Sequence, residues 1–242
     1  MTNPEAAAIL EALQYGEINI KGRFLWGSNY TFLAEVAANE VKIKAVYKPT
    51  RGERPLWDFP SASLAHREAA AFLVSQALDW QLVPETVYRG IAPAGPGSLQ
   101  RFIEHDSEQH YFNLTDDERL LLRPVALFDL LINNADRKGG HIIKTAEGHI
   151  WLIDHGLCFH VDDKLRTVVW DFAGEPIPKD LLTQLEGLRP QLEPDCSLAA
   201  ILSEYLARGE IRALARRASS LVNSGFFPNP HPERRPYPWP PL

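Results

Sequence analysis

Hydrophobic and polar residues alternate along much of the first 104 residues, and this alternation predicts β-strands. Successive strand residues point to opposite faces, so a hydrophobic residue at every second position marks one buried face. The segment VKIKAVYK is the clearest case, because its lysines fall on one face and Val41, Ile43, Ala45 and Tyr47 on the other. The predicted strands lie at 18–20, 32–36, 41–47, 83–89 and 98–104.

Two helices are predicted in the same half of the chain. Residues 4–14 place Ile9 and Leu13 on one face of a short amphipathic helix. A second helix runs from Ser63 to about Leu78, with Ser63 as its expected N-cap.

The second half of the chain is mainly helical. Thr115 is expected to cap a helix that reaches about Asn133, and a hairpin of two strands follows at 142–145 and 149–153. The proline-rich end is expected to be extended, either as a strap packed on the body or as a docking segment. Further helices are predicted near 178–188, 197–207 and 210–223.

This order of elements predicts an α+β fold with two lobes. Residues 1–104 would form a β-rich N-lobe, residues 105–227 a mainly helical C-lobe, and residues 228–242 a proline-rich tail. The cleft between the lobes is expected near residues 100–106.

The amino-acid composition indicates a globular protein and argues against several kinds of partner and site. The chain has 242 residues, of which 45% are hydrophobic and 23% charged, as in ordinary globular proteins. Its net charge of -6 argues against nucleic acid or an anionic membrane as the main partner, since both recruit basic surfaces. Cys158 and Cys196 are the only cysteines, so neither a zinc cluster nor a disulfide framework is expected. Without a signal-peptide pattern or an apolar run of about 18 residues, the sequence predicts a cytoplasmic protein with no integral membrane contact.

Three features of the N-lobe are candidates for binding phosphate groups. The turn between the first two strands contains Ser28 and Asn29, and backbone N–H groups in such a turn can cradle phosphate oxygens. Lys48 ends the third strand, from which it can reach phosphates. Glu68 lies in the following helix, where it can hold Lys48 by an ion pair. The alternatives are an ordinary hairpin turn, a solvated lysine and a surface glutamate.

Two carboxylates in the second half carry the strongest chemical signal. Asp136 lies in NNADRKGGH, after an apolar helix, and Asp154 ends the second strand of the hairpin. A phosphotransferase needs one carboxylate to orient or deprotonate the attacking hydroxyl and another to hold a divalent cation on the phosphates. Asp is also common in turns, but the paired glycines, the apolar hairpin and the D-x-G together favour the functional interpretation.

At these residues the sequence resembles the phosphatidylinositol 3-/4-kinases, whose pattern is D-R-x-x-x-N followed by I-D-x-G. NNADRKGGH followed by IDHGLCF is similar to the type II phosphatidylinositol 4-kinases, and VYKP resembles their F-K-P. The segment LQRFIE, with the acidic linker after it, is similar to the HipA-type bacterial kinases. Over about residues 20–225 the chain resembles an actinobacterial-type family of predicted phosphatidylinositol-kinase-related proteins. The resemblance implies a two-lobed protein-kinase-like fold.

The same resemblance implies roles for the candidate residues. Lys48 would contact the phosphates of ATP, and Glu68 would be its partner. Gln100 and Phe102 would offer backbone groups to the adenine, while the turn covering the phosphates would contain Ser28 and Asn29.

Asp136 would be the catalytic aspartate, and Asp154 would hold Mg²⁺ or Mn²⁺. One position departs from the pattern, because the metal-binding Asn expected five residues after Asp136 is His141. Imidazole is a poorer ligand for Mg²⁺ than an amide oxygen and suits softer cations better. Either the metal preference has moved, or a water bridges, or the activity is weakened. A lipid acceptor is not supported, because the segment after D-x-G has no cluster of Lys and Arg.

The leading hypothesis is an ATP-dependent phosphotransferase that acts on a hydroxyl of a protein or a small molecule. A kinase-like fold can instead transfer AMP, or bind ATP without turnover as a pseudokinase. A metal hydrolase is a further alternative, with candidate residues Asp136, His141, Asp154 and His155.

Overall fold

The computed structural model describes residues 4–24, 30–106 and 108–242, and it has the expected α+β architecture in two lobes. The N-lobe contains one antiparallel sheet with the strand order β1-β2-β3-β5-β4. Its strands are β1 (Glu17–Arg23), β2 (Phe32–Ala38), β3 (Val41–Pro49), β4 (Thr86–Arg89) and β5 (Gly97–Arg101).

The two faces of this sheet pack on different helices. Helix α1 (Pro4–Tyr15) covers one face, where Leu13 joins a hydrophobic cluster with Ala45 and Tyr47. Lys48 therefore points to the other face, because it lies next to Tyr47 on β3. Helix α2 (Leu64–Ala77) packs on β4 and β5, on the side to which Lys48 points.

The start of α2 differs from the prediction that Ser63 caps it. The Ser63 hydroxyl donates to the carbonyl of Pro60 at 2.7 Å and accepts no helix N–H. Instead, the carboxylate of Glu53 accepts the N–H groups of Leu64 and Ala65 at 3.2 and 3.0 Å. A carboxylate also complements the positive end of the helix dipole, so a residue from the preceding loop serves as the cap.

The C-lobe is built on helices and a small hairpin, β6 (Ile142–Lys144) and β7 (Ile150–Leu152). One continuous hydrophobic core joins these elements to the inner side of α2, including Phe72 and Val74. The helices are α3 (Asp116–Leu120), α4 (Arg123–Ile132), α5 (Lys179–Leu188), α6 (Ser197–Leu202) and α7 (Arg208–Ser224).

The prediction of one helix from Thr115 to about Asn133 is wrong, because α3 and α4 are separate. Thr115 does cap α3, in a reciprocal arrangement with Glu118. The break follows from Pro124, which has no N–H and would crowd the carbonyl four residues earlier in a continuous helix.

The proline-rich end of the chain packs on the C-lobe. The carbonyl of Pro236 accepts the backbone N–H of Thr167 at 3.0 Å and the indole N–H of Trp170 at 3.1 Å. The carbonyl of Pro241 accepts the N–H of Gly139 at 2.8 Å. These contacts are those of a strap, which was one of the two expected arrangements. Among the described residues, no helix is long and apolar enough to cross a membrane.

Candidate functional site

A cavity of about 630 Å³ lies between the two lobes. This volume lies in the usual range for small-molecule sites. Both lobes contribute to it, and it brings together six of the predicted site residues. They are Lys48, Glu68, Phe102, Asp136, His141 and Asp154.

Lys48 bridges two carboxylates that line this cavity with it. Its Nζ lies 2.5 Å from Oε1 of Glu68 and 3.1 Å from Oδ1 of Asp154. Burial by itself would lower the pKa of Lys48, but the negative charges of Asp154 and Glu68 outweigh burial and raise it. Lys48 is therefore a fixed positive charge that faces the cavity.

Glu68 is buried on α2 and uses both of its carboxylate oxygens. One oxygen contacts Lys48, and the other accepts the backbone N–H of His155 at 2.9 Å. The helix packs closely against Gly156, the second residue after Asp154. A Cβ at Gly156 would lie 3.3 Å from the Cβ of Leu64. Glu68 thus fixes both Lys48 and the chain segment that follows Asp154.

Asp136 lies in the loop between α4 and β6 and lines the cavity. The side-chain oxygen of Asn134 accepts its backbone N–H at 3.0 Å, which fixes the loop at this residue. Burial raises the pKa of the Asp136 carboxyl to about 6, although the nearby charge of Lys138 opposes this shift. A carboxylate with a pKa close to neutral is suited to general base chemistry.

Asp154 and His141 face each other on the C-lobe side of the cavity. The Nε2 of His141 is 3.3 Å from Oδ2 of Asp154. Asp154 has a φ of 61°, a left-handed conformation that is uncommon outside Gly, Asn and Asp. The positive charge of Lys48 holds the pKa of Asp154 well below its usual value, and burial lowers the pKa of His141 to about 4. At neutral pH the pair is therefore an ionised carboxylate beside a neutral imidazole.

This pair could contribute two ligands to a metal ion, provided that other groups supply the rest. No group of three or more His, Cys, Asp or Glu side chains in the described ranges is placed to hold a metal ion without further ligands. Mg²⁺ in phosphotransferases is usually held by one or two protein ligands together with substrate phosphates and waters. An ionised carboxylate and a neutral imidazole fit such a partial site, and the imidazole fits Mn²⁺ better than Mg²⁺.

The structure also contains a buried ion pair that sequence reasoning missed. Arg137 donates from Nε to both carboxylate oxygens of Asp129, at 3.0 and 3.2 Å, and neither side chain is exposed. The same guanidinium donates to the carbonyl of Ile153 at 2.8 Å and contacts Nε2 of His155 at 2.8 Å. Arg137 therefore ties the Asp136 loop to both sides of Asp154. A carboxylate within the apolar helix RPVALFDLLI was the signal, because a buried Asp requires partners.

Two further contributions were also missed. The Nζ of Lys138 lies 3.8 Å from Oδ2 of Asp136. The site therefore has another positive charge besides Lys48, next to the candidate catalytic carboxylate. The loop after β3 forms one wall of the cavity, with Glu53 and Trp57 among its lining residues. Its Pro, Gly and charged residues indicated only a loop.

The remaining predicted positions lie elsewhere. Ser28 and Asn29 fall outside the described residues. Gln100 is buried within the sheet, between β3 and β4, and its side chain donates to Thr86 at 2.8 Å. Phe102 lines the cavity, but its backbone N–H donates to the carbonyl of Lys44 at 3.0 Å. Neither contact reaches into the cavity, so adenine binding by the backbone of these two residues stays a prediction.

Comparison with known proteins identifies the class of fold. Three solved structures superpose on most of the chain. Hydra Fam20 with sugar has a TM-score of 0.60 at 15% identity and covers 92% of this chain and 88% of its own. The Golgi casein kinase with Mn/ADP bound has a TM-score of 0.59 at 16% identity, over 92% and 76%. The Helicobacter pylori proinflammatory kinase CtkA has a TM-score of 0.53 at 14% identity, over 89% and 94%.

The chain therefore has an atypical kinase-like fold, which confirms the predicted fold class. No family model matches the chain. Protein Rv2133c of Mycobacterium tuberculosis is 42% identical, over 93% of this chain and 92% of that protein. The chain belongs to the same family as Rv2133c.

Proposed function

We propose that this protein is an ATP-dependent phosphotransferase that moves a phosphoryl group to a hydroxyl of a protein or a small molecule. The observation that carries the proposal is the contact of Lys48 with Glu68 in the cavity that also contains Asp136 and Asp154. Phosphoryl transfer requires three parts: a lysine held by a helix glutamate, one carboxylate for the acceptor and one carboxylate for a metal.

Each residue has a role that follows from its surroundings. Lys48 binds phosphate oxygens. Its ammonium group lines the cavity, and the two neighbouring carboxylates keep it protonated and in place. Asp136 orients the acceptor hydroxyl and receives its proton, for which a pKa of about 6 is well placed. Lys138, beside Asp136, adds positive charge where the transferred group becomes most negative.

His141 and Asp154 are the residues that would hold a divalent cation. When bound, the cation would neutralise charge on the phosphates. The Golgi casein kinase with a similar fold was solved with Mn/ADP, which supports ATP as the nucleotide and a divalent metal as its companion. The D-R and I-D-x-G motifs support a relation to the phosphatidylinositol 3-/4-kinases, and LQRFIE with its acidic linker supports one to the HipA-type kinases. Neither indicates a lipid acceptor.

The test uses ATP labelled at either its α- or its γ-phosphate. The protein is incubated with each nucleotide and Mn²⁺, and both label on the protein and ATP turnover are measured. A phosphotransferase transfers or releases the γ-label, and Asp136→Asn loses that activity. Transfer of the α-label would identify AMP transfer instead.

A second candidate, an ATP-binding pseudokinase, is favoured by one observation. His141 stands where the related pattern has an asparagine ligand, and its ring contacts Asp154 directly. A pseudokinase would bind ATP tightly and leave it intact during long incubation with either metal. Nucleotide that neither binds nor reacts would contradict both candidates.

A further inference from the structure

The end of the proline-rich strap contacts the turn that follows Asp136. Gly139 donates its backbone N–H to the carbonyl of Pro241 at 2.8 Å. The same glycine packs on two side chains, because a Cβ at Gly139 would lie 2.8 Å from Cε2 of Phe112 and 3.5 Å from Cδ1 of Leu242. The strap therefore meets this turn through a main-chain hydrogen bond and an apolar contact.

The turn itself has little with which to fix its own conformation. Gly139 and Gly140 open the short 3₁₀ turn that ends at His141. Glycine loses more backbone freedom on folding than any other residue, and two adjacent glycines have no side chains that could pack. Leu242 also reaches Gly140, where a Cβ would lie 3.9 Å from its Cδ1. Contacts from outside the turn therefore hold it in place.

The strap is attached a second time, beside the same loop. The carbonyl of Pro236 accepts the backbone N–H of Thr167 at 3.0 Å. Thr167 pairs with Arg137 in a parallel bridge, in which the N–H of Arg137 donates to the carbonyl of Arg166 at 3.0 Å. Arg137 directly follows Asp136 in the chain. Both attachment points of the strap are therefore on segments that position the Asp136 loop.

The strap is held at few points outside these contacts. From Pro228 to Pro236 it lines a cavity of about 650 Å³ together with α7. The hydrophobic core of the C-lobe includes Phe227 and no described residue after it, and the side chains of Trp239 and Leu242 are exposed. Segments with few buried apolar contacts open locally at low cost. The strap can therefore detach while the C-lobe core stays folded.

We propose that Pro241 and Leu242 are positioning residues of the candidate active site. They hold the Gly139–Gly140 turn, and this turn sets the position of His141 relative to Asp136. The inference rests on the proposed function, in which Asp136 faces the acceptor and His141 holds the cation. With the strap attached, both groups are fixed for transfer, whereas a detached strap leaves the glycine turn free to move them.

This role makes a specific demand on catalysis and a different one on nucleotide binding. A misplacement of about 1 Å in reacting groups can slow a reaction by about 10²-fold. Lys48 and Glu68 lie on β3 and α2, outside the turn that the strap holds. Loss of the strap contacts is therefore expected to lower kcat, while the affinity for ATP without metal stays the same.

The test uses full-length protein in which Pro241→Gly and Leu242→Gly are combined. Hydrogen exchange at the amide of Gly139 is expected to be faster than in wild type, since its acceptor is no longer held. The kcat for release or transfer of the γ-label from ATP with Mn²⁺ should fall about tenfold or more. The affinity for ATP in the absence of metal and the midpoint of urea unfolding should match those of wild type.

Two control proteins test whether the effect belongs to these contacts. Pro232→Gly combined with Trp239→Gly changes two exposed positions of the same strap and should leave kcat unchanged. Leu242→Met keeps an apolar side chain against the glycines and should also behave like wild type. An equal loss of kcat in the first control would overturn the assignment to Pro241 and Leu242.

The remaining outcomes each decide the inference. Unchanged exchange at Gly139 would show that the strap does not hold the turn, and faster exchange with unchanged kcat would show that the turn does not position the site. A higher kcat would overturn positioning in favour of a strap that blocks the site. If wild type binds ATP but releases no γ-label, the phosphotransferase proposal fails separately. Affinity for Mn²⁺ in the presence of ATP is then the readout, for which weaker binding in the combined variant supports the inference and equal binding overturns it.

Discussion

The carboxylate of Glu68 accepts the backbone N–H of His155 at 2.9 Å, across 87 positions of the chain. This contact joins α2 of the N-lobe to the segment that follows Asp154 in the C-lobe. Because the other oxygen of Glu68 contacts Lys48, a single buried side chain sets the position of the lysine proposed to bind phosphates relative to the proposed metal ligand. The lobes are therefore coupled through the site itself.

Lys48→Met is expected to weaken ATP binding about tenfold or more, because it removes a charge-assisted contact to the phosphates. Glu68→Gln should have a smaller effect in the same direction, since Lys48 itself stays in place to contact the phosphates, while the amide keeps one of the two hydrogen bonds of Glu68 and no longer balances the charge of Lys48. Calorimetric titration with ATP measures both. Lys44→Met is the matched control, because Lys44 lies on the same strand, exposed, and pairs with Glu104. If Lys48→Met binds ATP with unchanged affinity, the phosphates are contacted by another cation.

Asp136→Asn is expected to leave the fold and ATP affinity nearly unchanged while lowering phosphoryl transfer by about 10²-fold or more. The amide is similar in size and keeps an oxygen toward the acceptor, but it takes up no proton. Initial rates with γ-labelled ATP give the comparison, and circular dichroism monitors folding. A variant that transfers phosphate at the wild-type rate would show that Asp136 is not the acceptor-facing group.

Arg137→Met is expected to destabilise the protein by about 3–5 kcal/mol, because it leaves the carboxylate of Asp129 buried without its charge partner. Urea unfolding measures the change. Arg212→Met provides the comparison, since Arg212 is exposed on α7 and its loss should change the free energy of unfolding by less than about 0.5 kcal/mol. Equal midpoints for the two variants would mean that the buried pair contributes little.

His141→Asn is expected to shift metal preference from Mn²⁺ toward Mg²⁺, because an amide oxygen replaces an imidazole nitrogen. The measurement is titration of each metal into wild type and variant in the presence of ATP. Between about pH 8 and 6 the affinity of wild type should change little, since its imidazole, with a pKa of about 4, stays neutral. An ordinary histidine would place this pH dependence near 6.5, and burial of the ring moves it lower. The same preference in both proteins would remove His141 from the metal site.

The low pKa of His141 also predicts a pH dependence of stability. Its ordinary pKa is about 6.5, so between about pH 6.5 and 4 the unfolded chain takes up the proton and the folded chain does not. The contribution of His141 to stability is therefore lost as the pH falls through this window. Asp136 has the opposite effect on the pH dependence of stability. Its pKa is raised to about 6, so the folded chain takes up this proton before the unfolded chain does, which favours folding as the pH falls. The difference in free energy of unfolding between wild type and His141→Asn isolates the histidine, and it should vary with pH between 7 and 4. A constant difference would contradict the buried, neutral imidazole.

Local patterns in the sequence were enough to predict the strands, most helices and the two loops with Asp136 and Asp154. Strand alternation also placed Lys48 on the face of β3 opposite Tyr47, as the structure has it. These features depend on residues within a few positions of one another, whose spacing determines which face they share.

Tertiary packing decided which polar groups meet. Ser63 has the residue type of a cap, yet Glu53 caps α2 because the loop after β3 folds back over the helix. Gln100 stays within the sheet, because β5 is paired on both edges at that position. The alternation of hydrophobic and polar residues cannot show at which residue a strand stops pairing with both of its neighbouring strands.

The sequence by itself determined the order of the elements, the kinase-like arrangement of the lobes and the identity of the charged candidates. Only the tertiary structure determined that Glu68 reaches His155, that Arg137 is fully buried against Asp129, and that His141 is held neutral. The reason is physical: the pKa of a charged group and its partners depend on how far burial removes water from it and on which charges and hydrogen bonds lie next to it. Burial in turn depends on contacts between segments far apart in the chain.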